Sequence, residues 1–237
     1  MTQPHPPASL RVVVFGATGM IGSGVLLECL RDPRVAAVLT VGRSESSQRH
    51  PKLTQIVHQD FLDYSGIQPR LAGYDACFFC IGVSAVGMSE ADYHRLTYDI
   101  TIAAAGALLA ANPEMTFCYV SGASTDSTER GRMMWARVKG KTENRLLAMS
   151  ERSYMFRPGF IVPVEGVRSK TKLYALIYDV TRPLYPLLKR LFPNSLSTSD
   201  GLGRAMIAVA ARGYPKRQLE IADINALAER GAATPGV

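Results

Sequence analysis

A chain of 237 residues with 47% apolar content can bury the core of one sizeable domain, and 20% charged residues exclude disorder by composition. The net charge of +7 admits an anionic ligand or surface, but the basic residues are scattered with no run of five, which reads as a solvated face and argues against nucleic acid. No apolar run reaches the length that spans a bilayer, so a membrane partner is not expected.

The chain opens on "MTQPHPPAS" at 1–9, a proline-rich polar tail without the apolar stretch of a secretory signal. "LRVVVF" at 10–15 is a short β-branched run that predicts a strand, and "MIGSGVLLECLRD" after it has apolar residues at helical spacing, stopping before Pro33. Further strands are predicted at 35–42, 54–60, 75–82, 115–124 and 154–163, with a long helix in the alanine-rich half of 90–113 and another at 134–149. Continuous apolar strands alternating with helices imply an α/β fold with a doubly wound parallel sheet, covered on both faces. Residues 10–163 make this core. Residues 164–230 form a C-terminal appendage that completes the fold and covers the carboxyl ends of the strands, within a single domain. It holds an aromatic and basic stretch broken by prolines at 171–193, a helix at 198–213 capped by Ser199 or Asp200, and a last strand and short helix at 217–230.

Four cysteines and no signal segment place the chain in a reducing cytosol, and a cytoplasmic location is expected. Cys77 and Cys80 are spaced as C-x-x-C, but inside the apolar run "ACFFCIG", without turn residues between them or a second pair elsewhere, so they read as core packing. His5, His50, His58 and His94 share no metal-ligand spacing, and no metal site is expected.

The strongest signal is "FGATGMIGSG", which places Gly16, Gly19 and Gly22 three apart between a strand and a helix. Gly16 allows the sharp turn, Gly19 the close approach of a pyrophosphate, and Gly22 close helix packing; Thr18, Met20 and Ile21 complete the turn. The helix N-terminus then offers unpaired N–H groups to phosphates. At the end of the second strand an NAD-selective site would carry an acid. Here Gly42-Arg43-Ser44 follows instead, and Arg43 can pair a 2′-phosphate with Ser44 adding a hydroxyl, so NADP(H) is preferred over NAD(H). Asp60, beside Phe61, is placed either to contact an adenine amino group or to close a turn. Cys80-Ile81-Gly82 brings backbone past the adenosine half, and Pro158-Gly159 turns the chain over the nicotinamide.

These elements resemble, in order, those of atypical short-chain dehydrogenase/reductases: "VVFGATGMIG", Asp60, "FFCIG", "YVSGAS", W-x-x-x-K and "FRPGF", over about residues 10–230. The nearest likeness is to the epimerase/dehydratase-like, Tat-interacting-protein-like group. The resemblance implies a Rossmann fold, an NADP(H) site and either reductase activity or a regulatory, cofactor-sensing role. It also implies a proton relay of serine, tyrosine and lysine. Lys139 matches the lysine, Ser121 and Ser124 both fall in the serine region, and Trp135 stands at the tyrosine position. Tryptophan is a donor that does not ionise usefully, and loss of a positioned acid costs about 10²- to 10⁴-fold in rate. Three routes around the loss exist: a desolvated Lys139 as the acid, a tyrosine such as Tyr174 or Tyr178 from the appendage, or an acceptor that needs no strong acid. The stretch 171–193 is read as lid or core packing, with a peripheral membrane contact as the alternative.

Overall fold

In the computed structural model, which describes residues 9–162 and 196–232, the sheet has seven parallel strands in the order β3-β2-β1-β4-β5-β6-β9. They are β1 Leu10–Phe15, β2 Val35–Gly42, β3 Leu53–Val57, β4 Ala76–Phe79, β5 Thr116–Val120, β6 Ser153–Arg157 and β9 Gln218–Glu220. Because every neighbour is parallel, each link must cross over a face of the sheet, and helices make most of these crossings. β1 lies inside the sheet between β2 and β4, so both of its faces are buried from Val12 onward, which is why Val12–Phe15 is a continuous apolar run instead of an alternating one.

Alternation within the strands then divides the core in two. Val12, Val14, Phe78, Cys118 and Phe156 face α1 (Met20–Arg31) and two later helices, α5 (Ser199–Arg212) and α6 (Ile221–Ala232). Val13, Phe15, Phe79, Phe117 and Tyr119 face α3 (Ile100–Ala111) and α4 (Met134–Met149). Phe15, Phe79 and Phe117 stack across three adjacent strands, with centroids 5.2 and 6.0 Å apart. Cys29, Cys77 and Cys118 are wholly buried, and burial pushes their thiols well up, in keeping with the packing role read from the sequence.

Three details differ from the sequence reading. The predicted sixth strand over 154–163 is two strands: β6 ends at Arg157, Pro158 breaks the ladder, and Phe160–Val162 (β7) leaves to pair with Leu196–Thr198 (β8) in a separate two-stranded sheet. The helix at 199–212 is capped by Thr198, not Ser199 or Asp200; the Thr198 hydroxyl accepts the Gly201 N–H at 3.1 Å. The helix expected in 90–113 begins early, as α2 (Glu90–His94), and reaches α3 through a π turn, Arg95–Asp99.

The described part of the appendage enters the main body: β9 extends the sheet beside β6, and α5 packs along α1 at Gly24 and Gly203. The stretch 171–193, with Tyr174 and Tyr178, lies outside the described residues.

Candidate active site

The chain runs from β1 to β2 on one side and returns to β4 on the other, so the direction of winding reverses at the carboxyl ends of β1 and β4. A crevice must open where it reverses. One of about 660 Å³ does, and it is lined by loops from four strands.

The first wall is the glycine turn. Gly16 has φ +76°, and a Cβ there would stand 2.8 Å from the Cys80 carbonyl, so the turn is wedged against the end of β4. A Cβ on Gly22 would stand 2.1 Å from the Gly16 carbonyl oxygen, so α1 closes onto its own turn only because residue 22 has no side chain. Gly19 is the N-cap of α1. No side chain caps this helix end and its first turn holds no acid, which leaves a positive dipole end facing the crevice. Thr18 and Gly19 line the crevice; Met20, Ile21 and Gly22 form the helical turn behind them.

The second wall comes from the ends of β2 and β3. Thr40 through Ser44 line it, and β2 closes without an acid. Arg43 is exposed; its carbonyl accepts from Gln59 at 3.1 Å, and no described residue pairs with its guanidinium. Asp60 closes a turn, its Oδ1 accepting the Leu62 N–H at 2.9 Å, and it lines the crevice with Phe61.

The third wall combines Cys80 to Val83 with the start of the α3 segment, where Arg95, Leu96 and Ile100 line the crevice. The π turn explains the last group. The Ile100 N–H bonds back five residues to the Arg95 carbonyl, and this wider turn brings residues five apart to one face. Sequence periodicity at 3.6 residues per turn does not reveal such a turn, so these residues were missed.

The remaining predicted residues gather at the ends of β5 and β6, outside the crevice lining. The Lys139 Nζ donates to the Ser121 carbonyl, and burial lowers its pKa to about 8 against the opposing pull of Glu143. The Ser121 hydroxyl is buried and turned the other way, lying 2.5 Å from Glu143 Oε1 and 3.1 Å from the Phe156 carbonyl. Ser124, by contrast, is exposed and held at φ +66°, a conformation that costs a non-glycine residue energy and that clusters at functional sites. Trp135, half-buried one turn before Lys139, packs over Gly122, where a Cβ would meet its ring at 4.0 Å. Pro158 is buried, and its carbonyl accepts the Ala123 N–H at 2.8 Å, tying the turn through Gly159 to the loop that carries Ser124.

Beneath this group lies a cluster whose arginine, Arg157, sequence reading takes as a structural pairing residue, and whose acid, Glu143, it passed over. Glu143 is fully buried and paired with Arg157 at 2.5 Å. Its signal was present: Glu143 follows Lys139 by four places and so shares its helix face.

Comparisons with known proteins agree with this architecture. Residues 12–129 match the NAD dependent epimerase/dehydratase family. The chain is 28% identical over 161 residues to the protein fmp52, mitochondrial, of Emericella nidulans, an alignment spanning 63% of this chain and 66% of that protein. It is 24% identical over 200 residues to fmp52-2, mitochondrial, of Aspergillus oryzae, covering 83% and 85%. Among solved structures, the Bordetella bronchiseptica enzyme WbmF in complex with NAD+ superposes with a TM-score of 0.63 at 14% identity, over 97% of this chain and 81% of that one. A short-chain dehydrogenase/reductase from Saccharomyces cerevisiae gives 0.63 at 17% identity, over 93% and 99%.

Proposed function

We propose that this chain, whose residues 12–129 match the NAD dependent epimerase/dehydratase family, is an NADP(H)-preferring oxidoreductase in which Lys139, not an aromatic residue, carries the proton. The observation that carries this reading is the pairing of Trp135 with Lys139. At the position where the relay calls for a phenol there is an indole that cannot give up a proton, and one turn later there is a lysine whose pKa of about 8 suits a proton donor near neutrality.

The residues fit the cofactor. The uncapped N-terminus of α1, flanked by glycines that leave no Cβ in the way, suits a pyrophosphate. Arg43, whose guanidinium no described residue pairs with on the crevice wall, favours a 2′-phosphate, supported by Ser44 and by the absence of an acid at the end of β2. Bound there, a reduced nicotinamide supplies hydride. The chain's own residues do the rest. Ser124, the exposed serine of the two candidates, orients the acceptor oxygen; Ser121 is taken up by Glu143. Lys139 gives its proton to that oxygen as the C=O bond becomes CH–OH, and regains one from solvent. Trp135 supplies an apolar wall.

The test is NADPH oxidation against a panel of small carbonyls, quinones and enones. Turnover that falls by about 10²-fold or more in K139M supports the reading. NADPH binding without turnover of any acceptor overturns it and leaves a non-catalytic cofactor sensor, the role that Trp135 at the tyrosine position independently favours.

A further inference from the structure

Among the described residues, the Lys139 Nζ donates its hydrogen bond to the backbone carbonyl of Ser121. What fixes that carbonyl is a buried polar cluster on the far side of the same residue. The Ser121 hydroxyl lies 2.5 Å from Glu143 Oε1. Arg157 reaches Oε1 through Nε at 3.0 Å and Oε2 through Nη2 at 2.5 Å, and Gln218 adds a bond to Oε2 at 3.3 Å. Both oxygens of Glu143 are therefore taken by Ser121, Arg157 and Gln218, although Glu143 sits one turn from Lys139 on α4. Arg157 is itself steadied by Ser127 at 2.6 Å and Glu220 at 3.2 Å. A fully buried carboxylate needs such a partner set to persist in charged form.

We infer that Glu143 and Arg157 are positioning residues for Lys139: through Ser121 they hold the carbonyl that receives the lysine, and Arg157 diverts onto itself the carboxylate charge that would otherwise fix Lys139 as a permanent ammonium. The inference rests on the proton-donor reading of Lys139 and explains how this site keeps its lysine releasable without a tyrosine beside it.

The other charges around α4 are spoken for. From α2, Glu90 pairs with Arg137 at 2.6 Å, and Asp92 accepts from Ser89. From the π turn, Asp99 pairs with His94, and Tyr98 lies under Lys141. Arg95 lies on the crevice wall, and α3 carries no charged residue. Asp126, in the loop after β5, is held by Thr128 and Gly131. Tyr93 and Tyr119 are buried and shifted upward, so they stay neutral. Among the described residues, Glu143 is the charge that bears on Lys139.

The test is the titration of Lys139 followed by its Nζ resonance in the full-length protein with ¹⁵N-labelled lysine, the signal assigned by its loss in K139R. Two variants of the same ion pair should move it in opposite directions. R157M leaves the Glu143 carboxylate bonded by Ser121 and Gln218 with Lys139 as the cation that balances it, and should raise the midpoint by about one pH unit, whereas E143Q removes that charge and should lower it. R157K, which keeps the cation, should return it towards the wild-type value. A pair that only braces the fold would move both variants the same way or neither, and either result overturns the inference. Should those variants fail to fold, E220Q decides. Glu220 is 55% exposed in its side chain, and removing its charge leaves Arg157 wholly to Glu143, so the midpoint should fall; an unchanged or higher midpoint overturns the inference. If the midpoints move as expected but the alkaline limb of turnover does not follow them, the positioning stands and the proton-donor reading fails.

Discussion

At the scale of single residues, the account turns on Trp135 and Lys139. If the indole blocks an ordinary relay, W135Y should restore one and raise turnover of a carbonyl acceptor by about 10-fold or more at pH 7. An unchanged rate would mean that Lys139 alone sets the chemistry. Lys139 also makes a prediction about stability. Its folded pKa, about 8, lies below that of a free lysine, so between these values the unfolded chain binds more protons and stability rises with pH. Below pH 8 the full cost of keeping a partly buried ammonium is present. K139M should therefore raise the melting temperature at pH 7, by roughly 2 kcal/mol of stability, with the gain shrinking as pH passes from 8 towards 10. Thermal melts of both proteins across that range check the sign. Arg43 gives a third prediction: R43A should weaken NADPH binding by about 10- to 100-fold, the worth of a charge-assisted contact, while leaving NADH nearly unaffected. Calorimetric titration with both nucleotides measures it, and an equal loss for both would assign Arg43 to another part of the cofactor.

At the scale of elements, the turn between β1 and α1 is the most constrained piece of the chain. G22A would place a Cβ 2.1 Å from the Gly16 carbonyl, and since that contact is backbone, α1 must shift. The expected result is a loss of about 1–3 kcal/mol in stability together with loss of nucleotide binding, read by melting and calorimetry. This turn was fully legible in sequence, because a triplet of glycines between a strand and a helix answers a steric demand that no other residue meets. The parallel sheet was legible for a similar reason, since strand segments buried on both faces must be apolar, as "VVVF" at 12–15 and "ACFFC" at 76–80 are. The π turn was not legible: its effect is to break the regular helical period, and no residue type announces it. Nor was the split between β6 and β7, although Pro158 marked the place. Ser121 and Ser124 could not be separated by spacing, because the choice rests on which way each side chain leaves the end of β5. What distinguishes the two in the fold comes from another element: buried Glu143 lies 2.5 Å from the Ser121 hydroxyl, whereas Ser124 is exposed.

At the scale of the molecule, the site exists because the sheet reverses its winding between β1 and β4, so that loops distant in sequence meet at one edge. The crevice gathers residues 16 to 100, and the lysine cluster outside its lining gathers residues 121 to 220, so the two together depend on the whole sheet. Ligand binding should therefore stabilise the entire fold: NADPH at 100 times its Kd should add about 2.7 kcal/mol. The central claim, that a nicotinamide cofactor sits beside a tryptophan that has replaced the relay tyrosine, is open to one direct measurement, because Trp135 is the sole tryptophan of the chain. Its fluorescence should be followed as NADPH and then NADH are added. The account predicts strong quenching by NADPH, reached with NADH only at higher concentration. If neither nucleotide changes the signal or the melting temperature, the glycine turn serves the fold alone and the claim is contradicted.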